Sequence, residues 1–276
     1  MDLHSGLPYW IIRNSLWDYF HPLEKDLSTD VVIVGSGITG ALMAHELCHA
    51  GIKCCIVDKR SIATGSSAAS TALLQYEIDV PLCRMAKIIG EENAATAYHA
   101  CLQSISDIKR VLEETGVNAG FEQLPSLFYA SSAADNKLLE QEHEIRQKHK
   151  LPVNLLEKKK IREEYKVKTP GNALINEASA QMDAYRAATG LLAYHIKESG
   201  LKVFTHTSIK ECIETSDGCI MTTDRGHKIK CGYVIIATGF EAGQFLPQKI
   251  MDLTSTYALV SHPVASEHLW PTHCLI

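Results

Sequence analysis

The chain has 276 residues, of which 46% are apolar and 21% charged, with a formal net charge of −5. This length and balance suit one large folded domain or two ordinary ones and exclude collagen-like, coiled-coil and largely disordered chains. No basic block stands apart from acidic neighbours, which argues against a grip on nucleic-acid phosphates, and no run approaches the ~18 apolar residues of a membrane span.

In chain order, MDLHSGLPYWII lacks a secretory signal pattern, and the segment carrying Trp10, Trp17, Tyr19 and Phe20 is expected to pack on the surface. DVVIVG then reads as a strand, followed by a glycine turn into the helix ITGALMAHELCHAG and a second strand, IKCCIVD, ending at Asp58. Strand, turn, helix and strand make a βαβ unit. Cys54 and Cys55 are adjacent in that strand and read as small side chains on opposite faces. The nine cysteines form no C-x-x-C pair and no N-x-S/T sequon occurs, so all nine read as structural thiols of a reducing, cytoplasmic compartment. RSIATGSSAASTALLQYEID shows no period. Residues 90–116 read as one long helix, SLFYAS as a strand, ADNKLLEQEHEIRQKHK as a charged surface helix and EKKKIREEYKVK as a solvated face. DAYRAATGLLAYHIKESG is again helical. LKVFTH, KECIET and GCIMTT read as strands, GYVIIATG as a buried strand and STYALVSHPV as another strand.

The motif with chemical content is Gly35-Ser36-Gly37-Ile38-Thr39-Gly40, between strand and helix. Gly35 permits the tight turn, Gly37 lets backbone approach a pyrophosphate, and Gly40 lets the helix pack close to the strand. The unpaired amides of the helix start would face the phosphates, Ile38 and Thr39 being the first residues there. Asp58, 18 residues beyond Gly40, can accept hydrogen bonds from a ribose diol. This fingerprint is shared by NAD and FAD proteins. Ser66, Ser67, Ser70 and Thr71 add hydroxyls directly after the second strand. His45-Glu46-Leu47-Cys48-His49 fits H-E-x-x-H, but its helix belongs to the βαβ unit, and it reads as polar residues on an exposed flank with no metal expected. His99, His195 and His206 read as surface or satisfied core residues.

These segments, with DAYRAATGLL, TSIKECIE and VIIATGFEA, resemble the FAD-dependent D-amino-acid oxidase superfamily, which includes glycine oxidase, sarcosine oxidase and D-amino-acid dehydrogenase-like proteins. The resemblance covers nearly the whole chain. It implies that Gly35–Gly40 hold the FAD pyrophosphate, that Asp58 with Lys59 and Arg60 beside it holds the adenosine ribose, and that the Ser66–Thr71 loop runs along pyrophosphate and flavin. It further places backbone of Ile209 near the adenine and Ala237-Thr238-Gly239 close to the cofactor. Two departures stand out. Ala72, Leu73 and Leu74 occupy positions where the family often has a glycine near the flavin, and family chains usually run on well past this one, through parts that complete the carboxylate and flavin sites.

The implied architecture is α/β: a doubly wound, Rossmann-like FAD-binding domain (residues 25–85 and 175–245) interrupted by a mixed-sheet α+β substrate domain (86–174 and 246–276, incomplete). The implied reaction is oxidation of a small-molecule amine or amino acid by hydride transfer to flavin N5, with O₂ or another acceptor taking the electrons. No side-chain acid or base is required, and no catalytic residue is assigned. By position, Gln75 and Tyr257 are candidates for the substrate side. The alternatives are a non-catalytic FAD-binding fragment and an NAD-linked dehydrogenase.

Overall fold

A computed structural model describes residues 4, 6–17, 20–246, 248, 252–257 and 265. In chain order the elements are α1 (Tyr9–Asn14), β1 (Leu27–Val34), α2 (Ile38–His49), β2 (Cys54–Val57), α3 (Ser66–Ala69), β3 (Leu73–Leu74), α4 (Leu82–Ile89) and α5 (Glu91–Thr115). They continue with β4 (Glu122–Tyr129), α6 (Asn136–Lys148), β5 (Asn154–Leu156), the single turn α7 (Lys158–Lys160), β6 (Ala173–Gln181), α8 (Ala184–Glu198), β7 (Lys202–Phe204), β8 (Ile209–Thr215), β9 (Gly218–Thr223) and β10 (Lys228–Ile236). A 3₁₀ segment, Gly239–Phe245, follows β10.

The described residues form two compact units. The first comprises those of Met1–Thr71, Leu112–Ala119 and Asp183–Leu259, and the second those of Ala72–Val111, Gly120–Met182 and Val260–Ile276.

In the first unit a six-stranded sheet runs β7-β2-β1-β10-β9-β8. The first four strands are parallel, and β10, β9 and β8 form an antiparallel meander. Val31 to Val34 of β1 are all buried, as expected for a central parallel strand covered on both faces. Val32, Val34, Cys55, Val57, Met221 and Ile229 make one core cluster. Gly40, Ala41 and Ala44 are the small buried residues that let α2 lie close to the sheet. Asp183 caps α8 by accepting from the Arg186 amide at 2.9 Å. The N-terminal segment is tied down: Trp10 Nε1 donates to the Ser70 carbonyl at 2.7 Å, and Asn14 Nδ2 donates to Asp183 Oδ2 at 2.7 Å. Tyr19 lies outside the described residues.

The second unit is built on β6, which pairs antiparallel with β3, β4 and β5. Sequence pattern did not show this strand, because ALINEASAQ has few β-branched residues and is buried along most of its length instead of alternating. Tyr76, Leu82, Ala94, Tyr98, Ile105, Leu151 and Ala180 form a core beside it.

Several expectations change. α6 is not a purely surface helix: Glu142 and Arg146 are buried at 0% and 1% exposure. Arg146 Nε donates to Glu142 Oε1 at 2.7 Å and its Nη1 to Glu77 Oε1 at 3.1 Å, with the guanidinium over the Tyr76 and Tyr98 rings at 5.4 and 5.5 Å. Glu142 also accepts the Leu82 and Cys83 amides at 2.8 Å each, capping α4. β10 is not fully buried. β9 pairs only with Lys228–Cys231 while β1 continues to Ile236, and Tyr233 is 75% exposed. The aperiodic stretch holds the short elements α3 and β3. Residues 72–85 and 175–182, expected with the cofactor domain, fall in the second unit because β3 and β6 belong to its sheet, while 112–119 and 252–257, expected with the substrate domain, fall in the first. Those last residues form no strand, and the rest of the expected strand at 255–264 lies outside the described residues.

Candidate functional site

Within the first unit, the C-terminal ends of β1, β2 and β10 open onto a cleft of about 290 Å³. It is shaped by backbone proximity that only glycine allows. Gly35 has φ +111°, and a Cβ there would stand 2.4 Å from the Ala237 carbonyl oxygen; one on Gly40 would stand 2.0 Å from the Gly35 oxygen. The turn, the first turn of α2 and the end of β10 are thereby pressed together. The serine loop closes on the same turn. Ser67 Oγ accepts the Ile38 amide at 2.9 Å, so one amide expected to face phosphate is already capped by a side chain.

Of the residues singled out from sequence, Gly35, Gly37, Ile38, Thr39, Asp58, Lys59, Arg60, Ser66, Ser67, Ser70, Ile209, Ala237, Thr238 and Gly239 line the cleft. Gly40 and Thr71 do not: Gly40 acts from behind as a packing position, and Thr71 is exposed at the end of the loop. Gln75 is exposed in the second unit, and Tyr257 of the first unit is 89% exposed. Neither lines the cleft.

Asp58 is more engaged than its sequence role suggests. Its Oδ2 accepts from the Ser36 amide at 2.8 Å and the Ser36 hydroxyl at 2.6 Å, and its Oδ1 accepts the Arg60 amide at 2.8 Å. With about four lone-pair positions on a carboxylate, part of its capacity orders the turn itself. Ser36, 0% exposed, also accepts the Ala63 amide, tying turn, β2 and serine loop together. Its place in G-S-G was visible, but its contact to an acid 22 residues away was not.

Glu241 is the other residue that sequence reasoning left unassigned. It lines the cleft at 5% exposure and accepts from Lys59 Nζ at 2.7 Å and Arg60 Nη1 at 2.9 Å. Burial alone would raise its pKa, but hydrogen bonds from Arg60 and Lys59 outweigh this and hold it at about 2. It therefore stays ionised and fixes both cations beside Asp58.

The H-E-x-x-H residues are not all on an exposed flank. His45 is 4% exposed, and its Nδ1 lies 3.0 Å from Nε2 of His195, itself 3% exposed. Both elements are apolar on these faces, so the imidazoles satisfy each other in the core. Among the described residues, the one group of His, Cys, Asp and Glu close enough to share an ion is Glu91, Glu92 and His149. There Glu91 already accepts from Lys148 and His149.

A parallel sheet with a glycine turn and an acid at its C-terminal edge defines a dinucleotide-binding protein. The sequence profile of the FAD dependent oxidoreductase (DAO) family matches residues 30–275. The chain belongs to that family, and its cofactor is FAD. It is 23% identical over 232 residues to a Bacillus subtilis protein named as a Rieske 2Fe-2S iron-sulfur protein, covering 84% of this chain and 44% of that one. Among solved structures it resembles glycine oxidase from Geobacillus kaustophilus (TM-score 0.66, 22% identity, 79% of this chain and 57% of that one). It also resembles the FAD-bound L-alpha-glycerophosphate oxidase of Mycoplasma pneumoniae (TM-score 0.64, 20% identity, 79% and 56%). The chain thus spans about half the length of the relatives it matches.

The cleft fits such a cofactor on its own chemistry. Ser66 Oγ and Thr238 Oγ1 are buried in its walls without a hydrogen-bond partner, two of the three such side chains among the described residues. Buried hydroxyls left open cost free energy unless a polar ligand meets them. No helix among the described residues is long and apolar enough to cross a membrane.

Proposed function

We infer that this chain supplies the FAD site and part of the substrate unit of an enzyme that oxidises a small-molecule amine or amino acid. The observation that carries the reading is the cleft itself: backbone closely packed around a glycine turn, with partnerless hydroxyls in the wall. Bound FAD would supply the hydride acceptor at flavin N5. The residues of the chain bind and orient. Gly35, Gly37 and the start of α2 with Ile38 and Thr39 receive the pyrophosphate at a helix N-terminus, while Ser66, Ser67, Ser70 and Thr238 offer hydroxyls along it. Asp58 offers its remaining acceptor capacity to the ribose diol, Lys59 and Arg60 stand beside it on Glu241, and backbone at Ile209 and Ala237–Gly239 borders the cofactor. The first unit is read as the FAD domain and the second as a substrate domain.

Oxidation at carbon–nitrogen follows the likeness to glycine oxidase, and the glycerophosphate oxidase marks carbon–oxygen oxidation as its rival. For the electron acceptor, one finding favours something other than O₂: the relative aligned along 84% of this chain bears a 2Fe-2S name, and more than half of its length lies outside the match. An iron–sulfur centre carried on a further domain or partner is the second reading.

The test is anaerobic mixing of the FAD-loaded protein with amino acids, glycine and glycerol 3-phosphate while following flavin absorbance. Bleaching by an amino acid is expected. Bleaching by glycerol 3-phosphate alone would move the reaction to carbon–oxygen bonds, and bound flavin that nothing bleaches would favour a non-catalytic binding unit.

A further inference from the structure

Away from the cleft, at the far end of α2, a continuous line of polar side chains crosses the first unit. His45 Nδ1 lies 3.0 Å from His195 Nε2, and His195 Nδ1 lies 3.1 Å from Ser199 Oγ. The Ser199 hydroxyl reaches Cys48, and Cys48 Sγ lies 3.9 Å from Cys54 Sγ. The two imidazoles are buried, while Ser199 is exposed and both thiols are half-buried, so the sulfur end of the line meets solvent.

The line has a consistent direction. Burial, with His45 and His49 nearby, lowers the His195 pKa and keeps it neutral. A neutral imidazole has one donor and one acceptor. If His195 Nε2 accepts from His45, its Nδ1–H donates to Ser199, whose hydroxyl is then free to donate to sulfur. Cys48 and Cys54 share one hydrogen bond in which either sulfur can donate, and Ser199 reaches Cys48 alone, so the thiolate is favoured on Cys48. The Cys54 bond is the larger influence, burial opposes it and Ser199 adds to it, bringing Cys48 down to about 7 while Cys54 is raised. The contrast with other thiols is direct: burial raises Cys55 to about 12 and Cys83 and Cys231 to about 11. The pair therefore holds a nucleophilic sulfur and a protonated neighbour within reach of it.

We propose that Cys48 and Cys54 form a redox-active dithiol, oxidised by hydrogen peroxide to a disulfide that ties the end of α2 to the start of β2. This replaces the expectation that all nine cysteines are structural. The Cys48 thiolate attacks one peroxide oxygen, breaking the O–O bond and giving a sulfenic acid and, after protonation, water. Cys54 then attacks that sulfur, its proton leaving with the displaced hydroxyl as a second water. In sum two thiols and one peroxide give one disulfide and two waters, the sulfurs losing two electrons to the O–O bond.

The experiment treats the reduced, FAD-loaded protein with hydrogen peroxide at pH 7, then alkylates, digests with trypsin and maps the peptides. The chain cuts at Lys25, Lys53 and Lys59, so Cys48 lies alone in 26–53 and Cys54 and Cys55 lie together in 54–59. These two peptides are expected to emerge linked, in a bond reversed by dithiothreitol. Cys55→Ser should keep the link. Cys54→Ser should abolish it and leave Cys48 as a sulfenic acid trapped by dimedone, and Ser199→Ala should slow oxidation about 3- to 10-fold by shrinking the thiolate fraction. A Cys48 that stays reduced while other thiols oxidise, or a link that survives Cys54→Ser, would overturn the proposal. Because peroxide is added, none of these outcomes depends on the protein having a substrate.

Discussion

Each unit buries one charged side chain between two of opposite sign, and the two clusters do opposite things. In the first, Glu241 holds Lys59 and Arg60, whose side chains remain 37% and 29% exposed at the cleft. In the second, Arg146 is 1% exposed and shared between Glu142 and Glu77 beneath two tyrosine rings. The same pairing is a rim in one place and a core fastening in the other. What separates them is access: charges that keep contact with water can turn to a ligand, whereas charges sealed in the core organise the chain around them, here the start of α4 and the turn before it.

The sharpest way to break this comparison is to remove the core cation. Arg146→Ala leaves the fully buried Glu142 carboxylate without its cation and is expected to cost about 3–5 kcal/mol in urea unfolding. A loss below about 1 kcal/mol would mean that the cluster is not a fastening. Next comes Gly40→Ala, whose new Cβ would collide with the Gly35 carbonyl. About 2–4 kcal/mol of stability should go, together with FAD binding. Asp58→Ala is expected to weaken FAD by about 1–3 kcal/mol, through the ribose contact and the loosened Ser36 turn. An unchanged dissociation constant would remove Asp58 from the site. Glu241→Gln is the smallest, at up to about 1 kcal/mol in urea unfolding, because its cations can turn to water.

The rim cluster also has a pH signature. Glu241 sits at about 2 in the fold against an ordinary 4.5. A depressed carboxyl stabilises the fold above its unfolded pKa, and that stability is lost as pH falls from about 4.5 towards 2. Thermal melts of wild type and Glu241→Gln should converge over that window, and parallel curves would contradict the ion pairing.

Legibility in the sequence followed the range of the contacts. The glycine turn, α2 and Asp58 were readable because the βαβ unit is local and each residue type is dictated by backbone geometry. Glu241 carries no local signal, since its partners Lys59 and Arg60 lie 182 and 181 residues away. Glu142 and Arg146 looked like one more surface i, i+4 pair. Only the packing of Tyr76, Tyr98 and Glu77 around them, set by β6, makes them a core cluster. β6 itself lacked any period because it is buried along most of its length, and the His45–His195 contact spans two helices that meet only in the fold.

The cleft around Gly35, Asp58 and Thr238 is the place where FAD is expected to bind. Titrating the purified chain with FAD while following flavin fluorescence and melting temperature tests it directly. Saturable quenching with a rise in melting temperature, both weakened by Asp58→Ala, is the predicted result. Fluorescence and melting temperature that stay unchanged across the titration would contradict it.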